Sequence, residues 1–404
     1  MDKIKIYLKR KDIGLFTILF ILYMGVTFLL FHRQSVLYGG KYMSDMVQYV
    51  RHMDGESTGL TMPYPIMFWL ARFFALFVSN KWGIAMAVTV LNGLTPIALY
   101  YCYTETSLGK NAGNRGYINI LLIFSLLFIS MLYLPDWFNV TMGGGMKYAG
   151  VFSPNPYHNA TYLVARPFAV MTFFFYQRII LEYEAKDAWV CKDYICFSVF
   201  LFLTTLAKPS FTLIMVATAG LMMLFRLLLS KFKGIKSFFQ FGIWFIPTFL
   251  LMIYQYFVVF TSSNPNVIRG IDFSPFKLWS YLTDNIPLAV CLAMSFPIAV
   301  MIFQFKKLRK RGVFGCAWFL WLVSFCSFAF FQEKGEQFYA ANFAWGYMYG
   351  LFFIHAVTLY ELVKETQLKQ AKIWALAVQW FFFVLHLICG IDYFLIYMSG
   401  ESYI

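Results

Sequence analysis

Charge is what this sequence has least of. Only 13% of its 404 residues are Asp, Glu, Lys or Arg, against about 25% in an average soluble domain. Hydrophobic residues make up 60% and aromatic residues 21%. Too little polar surface remains to cover a water-soluble fold. A nucleotide loop is missing as well, with no Gly-x-x-x-x-Gly-Lys-Ser/Thr anywhere. The run Met142-Gly143-Gly144-Gly145-Met146-Lys147 comes nearest but lacks the Ser or Thr, and it reads as loop flexibility. The seven cysteines lie in or near hydrophobic segments and form no spaced pair in an outer loop. Neither a disulfide framework nor a metal knuckle is expected. There is no internal repeat, low-complexity tail or soluble domain. What is left is an all-α polytopic membrane protein. It is expected to be a single transmembrane domain over residues 1–404, with the lipid bilayer as its main solvent.

The net charge of +14 does not imply nucleic acid. Lys and Arg come in short clusters between hydrophobic segments, the pattern that orients helices in a bilayer. The N-terminus carries Lys3, Lys5, Lys9, Arg10 and Lys11, then an apolar run from Ile13 to Phe31 followed by His32-Arg33. A cleaved signal peptide has a shorter core and a small-residue cleavage site. The expectation is an uncleaved first helix with a cytoplasmic N-terminus.

A spanning helix needs about 20 apolar residues. Runs at 13–31, 82–103, 117–134, 160–180, 194–207, 209–230, 238–260, 284–305, 313–331, 342–362 and 373–397 make about 11 transmembrane helices. The stretch 64–78 covers only about 22 Å of a core about 30 Å thick. It opens on Pro63-Tyr64-Pro65, is rich in Phe and Trp, and carries Arg72. Those are marks of an interfacial helix. With 64–78 lying in the interface, the basic loops 104–116, 181–193, 231–237, 306–312 and 363–372 all fall on the cytoplasmic side. Together with the N-terminus, Arg178 and Arg226 they hold 22 of the 33 Lys and Arg. If 64–78 spanned, those clusters would face outward, against the positive-inside rule. The outer loops are the long ones, above all 32–81, so any chemistry belongs to the outer face.

Three outer clusters and one polar outer loop have the residue types for it. Ser44-Asp45-Met46-Val47-Gln48-Tyr49 follows the first helix. As a short helix with Ser44 as N-cap, residues 44–54 put Asp45, Gln48, Tyr49 and His52 on one face. Met46, Val50 and Met53 form the other. Asp45 there is either a general base for an acceptor hydroxyl or merely a cap. Ser153-Pro154-Asn155-Pro156-Tyr157-His158-Asn159 leads into a helix that carries Arg166 about two turns in. A charge at that depth faces the bundle interior or a water cavity. His158 reads as a contact for acceptor or phosphate, or as a structural cap. Ala207-Lys208-Pro209-Ser210 breaks a helix pair, and broken helices are tolerated where they line a cavity. Lys208 is placed for a lipid phosphate. The loop Gln332-Glu333-Lys334-Gly335-Glu336-Gln337 offers groups for sugar hydroxyls, Glu336 among them, or is a solvated turn.

The order of these segments resembles the GT-C superfamily of membrane glycosyltransferases. The likeness lies in Ser44-Asp45 with Tyr49 after the first helix and in Pro63-Tyr64-Pro65-Ile66 opening a short aromatic helix. It continues through Asn80-Lys81-Trp82-Gly83 and the Lys-containing break Leu206-Ala207-Lys208-Pro209-Ser210-Phe211. Many members carry a second acid beside the first, where this chain has Met46. That departure speaks against a metal-dependent variant. The resemblance implies a GT-C-like bundle with Asp45 as catalytic base. It further implies a polyprenyl-phosphate sugar donor and a glycan or lipid acceptor at the plasma (inner) membrane, the active site being extracytoplasmic. His158, Asn159, Arg166, Lys208 and Glu336 are then expected to bind substrate, with no metal, cofactor or nucleic acid. The rival expectations are an O-antigen-type polymerase or ligase using Arg51, Arg166 and Arg269, and a lipid or polysaccharide transporter.

Overall fold

The computed structural model describes residues 10–36, 40–56, 63–106, 116–133, 152–182, 191–260, 270–368 and 371–401, without the side chains of 10, 11, 259, 260 and 336. Helices dominate. They are α1 (Arg10–Gln34), α2 (Met46–Met53), α3 (Pro65–Ala75), α4 (Asn80–Thr104), α5 (Gly116–Leu126), α6 (Ala160–Ile180), α7 (Lys192–Ala207) and α8 (Ser210–Leu229). Then come α9 (Ile235–Gly242), α10 (Ile246–Phe260), α11 (Lys277–Leu282), α12 (Ile286–Leu308), α13 (Gly312–Phe330), α14 (Asn342–Leu368) and α15 (Ile373–Ser399). Among the described residues the strands are β1 (Ile271–Phe273) and β2 (Phe331–Glu333), paired antiparallel with Ile271 opposite Glu333.

Among the described residues, eight helical stretches are long and apolar enough to cross a membrane: most of α1, then α4, α6, α8, the rod from α9 into α10, α12, α13 and α15. The chain is a multi-pass helical membrane protein. Every one of the eleven expected runs contains a helix, but three fall outside those eight. Helix α7 has only 16 residues, about 24 Å at 1.5 Å per residue. Helix α14 has 27 residues, and every one from Gly346 to His355 is buried. It is the central post of the bundle, wrapped by other helices on all sides, so it needs no lipid-facing stripe.

The third is a correction. The run 117–134 is not one helix: α5 stops at Leu126 and the chain extends over 129–133. Two three-residue turns close the helix, Leu127 N to Phe124 O and Phe128 N to Ser125 O. Beyond them the backbone is satisfied by tertiary partners. Ser130 N donates to His386 O at 3.1 Å and Leu132 N to Leu292 O at 3.2 Å. The Asn155 amide donates to Leu126 O at 2.9 Å and Ile129 O at 2.8 Å. Irregular backbone at this depth survives because protein replaces the missing helical bonds. Gly390 in α15 makes the approach possible, since a Cβ there would overlap the Phe128 carbonyl.

Helix α3 is 11 residues long, too short to cross. Met67, Phe68 and Ala71 pack inward while Trp69, Phe73 and Phe77 are exposed. It folds back on α4 so closely that a Cβ on Gly83 would sit 2.7 Å from the Ala71 carbonyl. Arg33 ties the end of α1 to the end of α15 by a 2.7 Å bond to Met398 O. Gln34 donates to Tyr157 O at 3.1 Å. One end of the bundle therefore gathers the close of α1, α7, α13 and α15 with the start of α6, α8 and α14.

Candidate functional site

Asp45 sits at that end, one residue before α2 begins. The Ser44 hydroxyl accepts from Met46 N at 3.1 Å, which fixes the turn into the helix. The two expected faces of α2 are not cleanly separated. Tyr49 joins Met46 and Val50 on the buried side, its ring edge-on to Phe68 at 5.9 Å. A phenol can bury its ring and still present its hydroxyl. That hydroxyl points to Asp45 Oδ2 at 3.4 Å.

Asp45 faces a cavity of about 470 Å³. Asn159, Thr161 and Lys208 form the same wall. Asn159 is the N-cap of α6: its Oδ1 accepts from Tyr162 N at 2.9 Å. The same oxygen accepts from Lys208 Nζ at 2.9 Å, and Lys208 also donates to Thr161 Oγ1 at 3.0 Å. The Asn159 amide nitrogen donates to Asp45 Oδ2 at 2.9 Å. One asparagine thus bridges a buried ammonium and a carboxylate. Lys208 occupies the break between α7 and α8 and lies over the Trp345 ring at 4.7 Å. Two of its three N–H donors go to Asn159 and Thr161, and no described residue takes the third.

The rest of the wall carries Glu333, Tyr64, Asn342 and, beside Lys208, Trp345. Pairing of β2 with β1 holds Glu333 there, and Asn342 donates to its Oε2 at 2.6 Å. Among the described residues, the charged ones lining the cavity are Asp45, Glu333 and Lys208.

Electrostatics follow from the walls. Asp45 is exposed, but to a cavity walled by protein. That desolvation pushes its carboxyl above the usual range, while the Lys208 ammonium and Tyr49 hydroxyl pull it back. Burial lowers Lys208 to about 8, and Asp45 opposes the fall. Burial raises Glu333, with Asn342 opposing. Tyr64 is pushed up to about 12 by burial and by the charge of Glu333.

Of the six residues expected from sequence, Asp45, Asn159 and Lys208 come together here. His158 does not line the cavity. Its ring is buried behind the wall, Nδ1 lies 2.7 Å from the Tyr397 hydroxyl, and the ring stacks on Tyr397. Burial and the Lys208 charge lower it to about 3, so it is neutral and offers no charge to a phosphate. Arg166 is not in the cavity either. It is fully buried and bonded to Asn155 Oδ1, to Asn92 Oδ1 at 2.8 Å and to the Tyr23 hydroxyl at 3.3 Å. It ties α1, α4 and α6 to the 152–159 segment. The side chain of Glu336 lies outside the described residues; Glu333 from the same loop lines the cavity. Tyr64, Asn342 and Trp345 were not singled out from sequence. Only the Pro63-Tyr64-Pro65 signature hinted at the first.

No protein-family model, curated protein or solved structure matches this chain.

Proposed function

We propose that this chain is a membrane glycosyltransferase of the GT-C type, transferring a sugar from a polyprenyl-phosphate carrier to a glycan or lipid acceptor at the outer face. One observation carries the reading. Asp45, Asn159 and Lys208 come from three separate segments and hydrogen-bond in series along one wall of a cavity at the end of a membrane bundle.

The chemistry is an exchange at the anomeric carbon. The acceptor hydroxyl gives its proton to Asp45 as its oxygen attacks that carbon. The bond from the carbon to the carrier phosphate breaks, and the lipid phosphate leaves with the electron pair. Lys208 has one N–H left to meet the charge that builds on that phosphate, in a site where a charge-assisted bond is strong. Trp345 offers a ring face, and Glu333 with Asn342 offers hydrogen-bonding partners for sugar hydroxyls. Tyr49 and Asn159 hold Asp45 by two bonds to one oxygen, leaving the other for the acceptor.

The arginine-based polymerase reading finds less support. Arg51 pairs with Glu56 at 3.7 Å with both side chains about half exposed. Arg166 is taken up inside the bundle, and Arg269 lies outside the described residues. No described arginine lines the cavity.

The test is a mass-spectrometric profile of envelope glycans and glycolipids. It compares cells carrying the wild-type chain, Asp45→Asn at equal membrane level, and no chain. Loss of the same sugar increment in the variant and the deletion is expected. A normal profile in Asp45→Asn beside an altered deletion sinks the carboxylate mechanism and favours transport or an arginine-based enzyme.

A further inference from the structure

A second cavity, of about 320 Å³, lies at the other end of the bundle between α4, α5, α6 and α14. Its deep part is apolar, with Leu99, Leu126 and Phe352 in the lining. Polar side chains gather toward the opposite limit, among them Thr106, Gln177 and Arg178. Along α6 the lining runs from Val170 to Leu181, and along α14 from Phe352 to Val363. Either stretch is about 16 Å at 1.5 Å per residue. That is about half of a 30 Å hydrocarbon core. The cavity therefore has the depth and the polarity gradient of a single bilayer leaflet.

An apolar space of this size is a poor home for water. It suits a hydrocarbon chain, and the surrounding bilayer supplies them. Gln177 adds a chemical detail. The residue is only 9% exposed, and its amide nitrogen finds no acceptor among the described residues. A buried donor left unpaired is unfavourable. Gln177 stands near the polar limit of the cavity, about one turn from the end of α6. An isoprenoid phosphate has no ester carbonyl to offer there.

We propose that this cavity binds one acyl chain of an ester-linked phospholipid. The headgroup lies at the Arg178 end and an ester carbonyl accepts from Gln177. The site is separate from the Asp45 cavity and does not depend on the transferase reading.

The experiment is native mass spectrometry of the full chain purified in mild detergent, with Val170→Phe and Ala356→Phe to fill the apolar part and Gln177→Leu to remove the donor. The wild-type chain is expected to retain one phospholipid. Both filled variants should lose it, and Gln177→Leu should retain less. A wild-type chain without lipid, or equal retention in both filled variants, overturns the site. A retained isoprenoid mass overturns the acyl assignment. A second measurement needs no bulky substitution. Cys102 lines the cavity and can be left as the sole cysteine. Its alkylation by N-ethylmaleimide in delipidated micelles should slow several-fold when phosphatidylglycerol is added. An unchanged rate overturns the proposal.

Discussion

Asn159→Asp tests the bridge at the heart of the candidate site. Asn159 Oδ1 accepts from Lys208, Thr161 and Tyr162 N, and an aspartate can keep all three bonds. The change is confined to the other atom, where an N–H donor 2.9 Å from Asp45 Oδ2 becomes an oxygen. Losing a bond to a charged group amounts to about 1.5–3 kcal/mol, and at 1.36 kcal/mol per unit that lifts the Asp45 pKa by about 1–2 units. Two carboxylates at this distance also repel by about 6 kcal/mol at an effective dielectric of 20. Lys208, equally close to the new group, offsets much of that. A rise of about 2 units in the pKa of the carboxylate pair is a fair expectation. A general base must be deprotonated, so the acid limb of the pH–rate profile moves to higher pH by that amount. The alkaline limb should move up too, because a new carboxylate favours the Lys208 ammonium. The assay is the initial rate of the sugar increment lost in Asp45→Asn, followed in membrane vesicles from pH 5.5 to 9. A wild-type profile in Asn159→Asp would refute the bridge. A uniform loss with unmoved limbs would mean that Asn159 matters only as the cap of α6.

Lys208→Met should abolish transfer while leaving the purified chain folded, as judged by its circular-dichroism melt; Lys208→Arg should restore little, since a guanidinium does not fit the Asn159–Thr161 pair. His158→Gln probes acid stability. His158 has a folded pKa near 3 against 6.5 for the ordinary imidazole. Its neutral burial is fully tolerated above pH 6.5 and loses up to about 1.4 kcal/mol per unit as pH falls from 6.5 toward 3. The melting midpoint of the wild-type chain in detergent should fall more steeply than that of His158→Gln between pH 6.5 and 4.5, and parallel curves would sink the assignment. Gly390→Ala should prevent accumulation of folded chain in membranes, because its methyl meets the Phe128 carbonyl; normal expression would contradict the close packing of 128–129 on α15. Arg166→Met leaves two asparagine oxygens without their donor and should lower stability by about 2–6 kcal/mol, read as loss of the monodisperse peak in size-exclusion chromatography.

The helices were legible because a bilayer demands long apolar runs and a chain can hardly hide them. Helix α5 was misread for a reason of the same kind. Its apolar run does continue to residue 134, but what ends the helix is the Asn155 amide and the α15 backbone, both remote in sequence. Asp45 and Lys208 could be singled out because charge in such a chain is rare. Asn159 was expected only as one of a polar set leading into a helix, and its role as the cap of α6 comes from the structure. The rest of the wall was harder. Glu333 stood in a loop already marked as polar, three residues before Glu336, and sequence offers no way to tell which of the loop's polar groups turns inward. The register of β2 on β1 decides that.

Arg166 and Lys208 show why a buried cation is only half a clue. Both are cations with almost no exposure, both sit near the start of a helix or a break, and both looked like phosphate ligands in the sequence. Their surroundings differ. Arg166 commits both terminal guanidinium nitrogens to three polar side chains drawn from α1, α4 and the 152–159 segment, and it stacks on Phe352. Its Nε, unbonded among the described residues, is buried away from the Asp45 cavity. Its geometry is that of a fastener. Lys208 uses two of its three donors on its own wall and turns toward a cavity that a carboxylate shares. A site has to keep something in reserve for its ligand. By that standard the reserve lies with Lys208 and Asp45, and the substitutions at Lys208 and Arg166 should separate accordingly: activity lost without unfolding at one, folding lost first at the other.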